Sequence, residues 1–339
     1  RPAPLPAAPL RGMGAPERRR ATAGESEQIM QKLDGQLITV LGGGGFLGRY
    51  VVQQLLARGA RVRIAEREPR KALFLKPLGG LGQTQFVAAD VRDAASVARA
   101  VQGSDAVINL VGSFDDMKAV QADGAGHVAA AAKAAGARAL VHVSAIGADP
   151  ASASAYGRSK GEGEAAVRAA FPAAAILRPS IIFGREDHFI NRFAALIRFS
   201  PVIPVVAPRA KFQPVYVGDV ADAVVAALDD AAAGQTFELG GPQVLTMAAL
   251  QQWVADATGR KRLFAELPDA VSGALATGFG WAPGAPITKD QWLMLQHDNV
   301  VADGAAGLAE LGVTPTSLGS AADGWLVQYR RHGRFAQTA

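Results

Sequence analysis

Leu37-Ile38-Thr39-Val40-Leu41-Gly42-Gly43-Gly44-Gly45-Phe46-Leu47-Gly48 decides the fold. An apolar, β-prone run meets a glycine cluster, and beyond it Tyr50, Val51, Leu55 and Leu56 recur at helical spacing. The stretch reads as strand, tight turn, helix. Gly42, Gly45 and Gly48 form G-x-x-G-x-x-G across the turn. Gly42 lets the chain turn sharply, Gly45 leaves room for a pyrophosphate, and Gly48 lets the helix lie close on the sheet. The helix start, with Phe46 and Leu47 grouped with the glycines as cofactor contacts, offers N–H groups and a dipole that favour phosphate charge.

Working outward, Arg61–Ala65, Thr84–Ala88, Ala106–Val111, Ala139–Ser144 and Ala174–Leu177 read as further strands, separated mostly by Ala-rich helical stretches. This alternation predicts an α/β fold, a Rossmann-type doubly wound parallel sheet. The near-continuous apolar runs at Ala106–Val111 and Leu140–Val143 suit central strands covered on both faces. Beyond about Pro179 the alternation breaks into proline-punctuated loops and the helix-like segments Val220–Leu228 and Met247–Thr258, giving a smaller, irregular C-terminal region. The expected organisation is a disordered or processed tail over 1–35, a dinucleotide-binding domain over 36–265 with the C-terminal region interleaved from about 179, and an interface segment over 266–339. Within that segment Leu267–Gly284, rich in Ala, Gly and Pro around Phe279 and Trp281, is more apolar than an exposed loop.

Composition narrows the function classes. Of the net charge of +5, a share of +4 sits in the first 20 residues, where Arg1, Arg11, Arg18, Arg19 and Arg20 face only Glu17. The remaining body is nearly neutral, so nucleic acid is not an expected partner. Without cysteine there is no thiolate nucleophile or thiolate metal site, and the five histidines lack metal-ligand spacing. No apolar run reaches the roughly 18 residues of a spanning helix, so membrane association is expected to be peripheral. The absence of an initial methionine and the Pro/Ala/Arg-rich start fit a processed presequence, an expression remnant or a misassigned upstream start, with Met30 as an alternative start.

Two groups of residues carry the expected chemistry. Glu66, 18 residues past Gly48, stands where a carboxylate accepts hydrogen bonds from an adenosine ribose, which favours NAD(H). Its neighbour Arg67 can pair with a ribose 2′-phosphate, which favours NADP(H). Asp90 and Val91, at the end of the third strand, are expected beside the adenine. In the second group, Tyr156 and Lys160 lie at i and i+4 on one helix face, where an ammonium would stabilise tyrosinate and lower the phenol pKa. Lys160 would also bond the nicotinamide ribose, and Ser144 would hold a substrate oxygen. Asp219, opening a helix, has a structural explanation as an N-cap.

The glycine loop with Ser144, Tyr156 and Lys160 resembles the short-chain dehydrogenase/reductase superfamily, in its extended or atypical, epimerase/dehydratase-like branch. Leu177-Arg178-Pro179-Ser180 and Pro214–Ala221 strengthen the likeness, which implies that Pro179 follows the strand beneath the nicotinamide. A narrower resemblance is carried by Gly184-Arg185-Glu186-Asp187-His188-Phe189-Ile190-Asn191, by Pro214–Val220 and by Ile287-Thr288-Lys289-Asp290 through Asp298-Asn299-Val300-Val301. These stretches look like the nucleotide-binding accessory subunits of respiratory complex I, the NADH:ubiquinone oxidoreductase. The likeness runs from Gln36 to Arg331. It implies NADP(H) held as a structural element, with NAD(H) the other candidate, and other complex I subunits as partners. It also implies a peripheral place on the matrix face of the mitochondrial inner membrane or the cytoplasmic face of a bacterial one. The alternative function is a free NAD(P)H-dependent reductase, epimerase or dehydratase acting on a small molecule through Ser144, Tyr156 and Lys160.

Overall fold

The computed structural model describes residues 33–280, 287–331 and 333. The tail up to residue 32 with Met30, Trp281–Gly284 of the apolar stretch, and the last six residues lie outside the described ones. The chain alternates from its first strand: β1 (Leu37–Leu41), α1 (Phe46–Ala57), β2 (Arg61–Glu66), a 3-10 segment (Pro69–Leu78), β3 (Thr84–Ala88), α2 (Ala94–Val101) and β4 (Ala106–Asn109). A π-helical turn (Lys118–Asp123) then leads into α3 (Gly124–Ala134), followed by β5 (Ala139–Val143), α4 (Ala155–Ala170) and β6 (Ala175–Pro179).

After β6 the elements shorten, as the prolines require: β7 (Ile182–Phe183), α5 (Ile190–Phe199), β8 (Val202–Val205), β9 (Lys211–Phe212), β10 (Val215–Tyr216) and α6 (Val217–Ala226). β11 (Thr236–Leu239), β12 (Leu245–Thr246), α7 (Met247–Ala257), β13 (Leu263–Glu266), α8 (Asp269–Phe279), α9 (Lys289–Met294) and α10 (Leu318–Leu326) complete the order. β11 returns to the main sheet, whose strand order is β11-β6-β5-β4-β1-β2-β3. Every neighbouring pair in that sheet is parallel, and its order reverses between β1 and β4. The doubly wound parallel fold expected from the alternation is therefore present, and its crevice lies beyond the carboxyl ends of β1 and β4.

Alternation along each strand divides the core. Ile38 and Val40 of β1 join Val51 and Leu55 of α1 and Val220 and Val224 of α6 on one face. Leu41, Val107 and Leu140 pack with Val97, Val128 and Val167 of α2, α3 and α4 on the other. A third cluster, from Phe183, Ile190, Ile197, Ile203, Leu250, Val254, Leu318 and Trp325, forms the smaller C-terminal region.

Some sequence boundaries shift. β4 ends at Asn109, two residues before the apolar run does, and Leu110 and Val111 leave the sheet to line the crevice. Asp219 is not an N-cap. Tyr216 occupies that position, and Asp219 lies in the first turn of α6, where its carboxylate accepts from the Thr316 N–H at 2.6 Å and hydroxyl at 2.7 Å. The helix starts three residues earlier than its apolar pattern indicates, and Asp219 instead ties α6 to the C-terminal segment.

Candidate functional site

The glycine loop is shaped by contacts that a side chain would break. Gly42 has φ +82°, the left-handed region that glycine tolerates. A Cβ on Gly48 would lie 2.2 Å from the Gly42 carbonyl oxygen, so only glycine lets α1 begin this close to the turn. Gly45 caps α1 without a side-chain hydrogen bond, and the first turn carries no acidic residue, leaving its N-terminal dipole open to an anion. Against this loop lies a cleft of about 370 Å³ lined by Gly42, Gly45, Phe46, Leu47, Gly48, Glu66, Arg67, Asp90 and Val91. The nine residues expected around the adenosine and pyrophosphate thus face one space, a size and lining suited to part of a dinucleotide.

Two of them are engaged otherwise than expected. The Glu66 carboxylate turns back to the loop, accepting from the Gly44 N–H at 2.6 Å. Burial pushes its pKa up, against the opposing pull of that hydrogen bond and of Arg67. Asp90 is paired with Arg92 at 2.6 Å, and the hydrogen bonds from Arg92 hold its carboxyl down at about 2. Arg92, which also lines the cleft, escaped the sequence reading; its signal was a cation two residues after a strand-end aspartate. Leu110, Val111, Gly112 and Ser113 complete the lining together with Leu41, Ala65, Ala89 and Val120.

Ser144, Tyr156, Lys160 and Pro179 are not among the residues lining the cleft. The Ser144 hydroxyl is buried with no hydrogen-bond partner among the described residues, as are His142 Nε2 and Gln121 Oε1. A hydroxyl with open hydrogen-bonding capacity suits a residue that holds a substrate or cofactor oxygen. Lys160 is buried, its Nζ 6.0 Å from the Tyr156 ring centroid and donating to the Val143 carbonyl at 3.2 Å. The expected fall in the Tyr156 pKa does not occur: burial pushes the phenol up to about 12 and Lys160 down to about 8. Phe114 contributes to this covering, stacked on Tyr156 at 5.0 Å with 22° between the rings. Pro179 ends β6, buried, its carbonyl accepting from the Ile146 N–H at 3.1 Å.

The Gly184–Asn191 stretch is a structural brace. The buried Asp187 carboxylate accepts from the N–H groups of Gly184, Phe189 and Asn191 at 3.0, 2.8 and 3.1 Å, which fixes the loop leading into α5. Glu186 accepts from the Tyr50 hydroxyl at 2.8 Å, joining the loop to α1, while Asn191 Oδ1 accepts from the Tyr329 hydroxyl at 2.9 Å. Asp290 of α9 makes another long-range tie: its carboxylate accepts from the Ala155 and Tyr156 N–H groups at 2.6 and 3.2 Å, at the start of α4.

Residues 38–240 match the model of the NAD dependent epimerase/dehydratase family. The mitochondrial NADH dehydrogenase (ubiquinone) 1 alpha subcomplex subunit 9 of Mus musculus is 39% identical over 84% of this chain and 78% of its own length. Its namesake from Arabidopsis thaliana is 34% identical over 93% of this chain and 82% of its own length. Among solved structures, an NADPH-dependent quinone oxidoreductase from Escherichia coli, complexed with NADPH, superposes with a TM-score of 0.67 at 22% identity, covering 84% of this chain and 97% of that one. The chain therefore belongs to the NAD dependent epimerase/dehydratase family, and within it to the family of the mitochondrial alpha subcomplex subunit 9 proteins.

Proposed function

We propose that this protein is an NAD(P)H-binding accessory subunit of respiratory complex I, in which the dinucleotide serves mainly to stabilise the fold. The observation that carries the reading is similarity to complex I subunits from an animal and a plant over 84% and 93% of this chain, reaching well beyond the nucleotide-binding half. Gly42, Gly45 and Gly48 with the start of α1 would hold the pyrophosphate, and Arg67 would meet a ribose 2′-phosphate, favouring NADP(H) over NAD(H). When bound, the cofactor supplies a hydride donor or acceptor; this chain is poorly set to use it. Phe114 covers Tyr156, whose pKa of about 12 makes proton release at neutral pH unfavourable, and Lys160 is bonded to a backbone carbonyl.

The mitochondrial relatives support a place on the matrix face of the inner membrane. No helix among the described residues is long and apolar enough to cross a membrane, which supports peripheral attachment. Gentle solubilisation of membranes from the source cells, native fractionation, and mass spectrometry of proteins and released nucleotide test the reading. The chain is expected to migrate with complex I and to release NADPH. Migration apart from complex I, with assembly unchanged in a gene deletion, overturns it.

The open Ser144 hydroxyl, with Tyr156 and Lys160 both present, favours a second reading, a reductase for a small carbonyl compound. It requires cofactor oxidation by the purified chain that disappears in Tyr156→Phe.

A further inference from the structure

β8 and β13 form a separate two-stranded sheet with one buried and one bare face. Ile203 and Val205 point into the core, while Val202, Pro204 and Leu263 are exposed. Val202 and Leu263 are register partners, so their side chains stand together. Leu196 and Phe199 at the end of α5, shortly before Val202 in the chain, are exposed as well, Phe199 and Leu263 to 79% and 67%, and the Leu263 N–H donates to the Pro201 carbonyl at 3.1 Å, which sets β13 beside that end. Five exposed apolar residues on neighbouring segments are more than the isolated apolar residues of an ordinary surface.

Cations surround the strip. Arg198 lies over the Phe199 ring at 5.3 Å, and Arg260, Lys261 and Arg262 immediately precede Leu263. Arg262 Nε donates to the Ile197 carbonyl at 2.7 Å, and Arg260 Nε to the Tyr329 carbonyl at 3.1 Å, anchoring both side chains beside the end of α5. Burial, and then the neighbouring charges of Arg262, Arg198 and Arg331, push the Arg260 pKa below its usual range. No ion pair among the described residues neutralises Arg198, Arg260, Lys261 or Arg262. The only carboxylate on either strand is Glu266, at the far end of β13.

We propose that this face docks on an anionic lipid surface, its cations meeting headgroup phosphates while Phe199, Val202 and Leu263 enter the acyl boundary. Charge complementarity requires a negative partner, and the interleaving of cation and protruding apolar side chain selects lipid. An interfacial anchor needs both features along one edge, whereas the centre of a protein interface is depleted of charge. The proposal goes beyond membership of complex I and is tested on the purified chain alone, so either reading can fail while the other stands.

The test is co-sedimentation of the full chain with phosphatidylcholine vesicles, with and without about 30% phosphatidylglycerol. Binding is expected only with the anionic lipid and is expected to weaken with salt. Phe199→Ser with Leu263→Ser, and separately Arg198→Gln with Lys261→Gln, are each expected to lower it about tenfold or more while leaving the melting temperature unchanged. These are exposed side chains, and two independent pairs keep the test decisive if one pair perturbs folding. Absence of vesicle binding, or binding indifferent to both pairs, overturns the proposal. So does patch-dependent binding of polyglutamate by a chain that ignores vesicles, which would make the occupant an acidic protein.

Discussion

Lys160 sits where its charge is disfavoured, and that has a measurable sign. Burial lowers its pKa from 10.5 to about 8, so between these values the unfolded chain binds more protons than the folded one. Stability contributed by this group therefore rises from about pH 8 to about pH 10.5, by up to about 3 kcal/mol. Tyr156, pushed from 10.0 to about 12, works the other way above pH 10, where the unfolded phenol ionises first. In denaturant titrations the stability of the wild type minus that of Lys160→Met should rise between pH 8 and 10; a constant difference would place the ammonium in a better-solvated setting. Gly48 offers a second test at this scale. A Cβ there meets the backbone of the preceding loop, at 2.2 Å from Gly42 O and 2.6 Å from Gly43 O, and backbone cannot rotate away. Gly48→Ala should lose about 1–3 kcal/mol in chemical denaturation together with dinucleotide binding. Gly319→Ala in α10, with nothing within 4 Å, should be neutral or stabilising by up to about 1 kcal/mol.

At the level of elements, local and distant determinants separate. β1, its turn and α1 were legible because apolar period, glycine spacing and helix start lie within 20 consecutive residues, and the β-α alternation carried the sheet. The cleft residues followed, since strand ends at a switch point face the same crevice. What was hidden depends on partners far along the chain. Asp219 looks like a cap by its position before an apolar run, but Thr316, 97 residues on, gives it another role. Phe114 covers Tyr156 from a loop whose path no periodicity reveals. Asp290 was conspicuous only as part of a family likeness, yet it holds the first turn of α4 through two backbone N–H groups and Ser154 Oγ, the last at 3.2 Å. Asp290→Ala should therefore cost about 1–2 kcal/mol, with Asp290→Asn intermediate. Hydrogen exchange should accelerate at Ala155 and Tyr156; unchanged exchange there would show that Ser154 suffices as the cap.

Across the whole molecule, the dinucleotide would add a fastening to those that already join the glycine-loop half to the later elements, where Val51 and Leu55 of α1 pack on Val220 and Val224 of α6. Tyr50 of α1 donates to Glu186 in the loop before α5, and the cleft wall at Leu110–Ser113 leads to the turn that covers Tyr156. A ligand held only by the folded state stabilises it by about 2.7 kcal/mol at a hundredfold excess over its Kd, whether or not it is ever consumed. NADPH is accordingly expected to raise the unfolding midpoint, and more than NADH does. On the proposed reading that difference would turn on Arg67, because the Glu66 carboxylate is committed to the Gly44 N–H and Arg92 to Asp90. Removing Arg67 would, on that reading, take away a charge-assisted contact to the 2′-phosphate and nothing from the 2′-hydroxyl of NADH, so Arg67→Ala should weaken NADPH about tenfold and leave NADH nearly unchanged. Glu66→Gln should shift the ratio in the opposite direction by removing a negative charge near that phosphate. Fluorescence titrations of the four combinations measure both effects, and equal losses for the two nucleotides in Arg67→Ala would mean that the arginine supports the cleft rather than reads the phosphate.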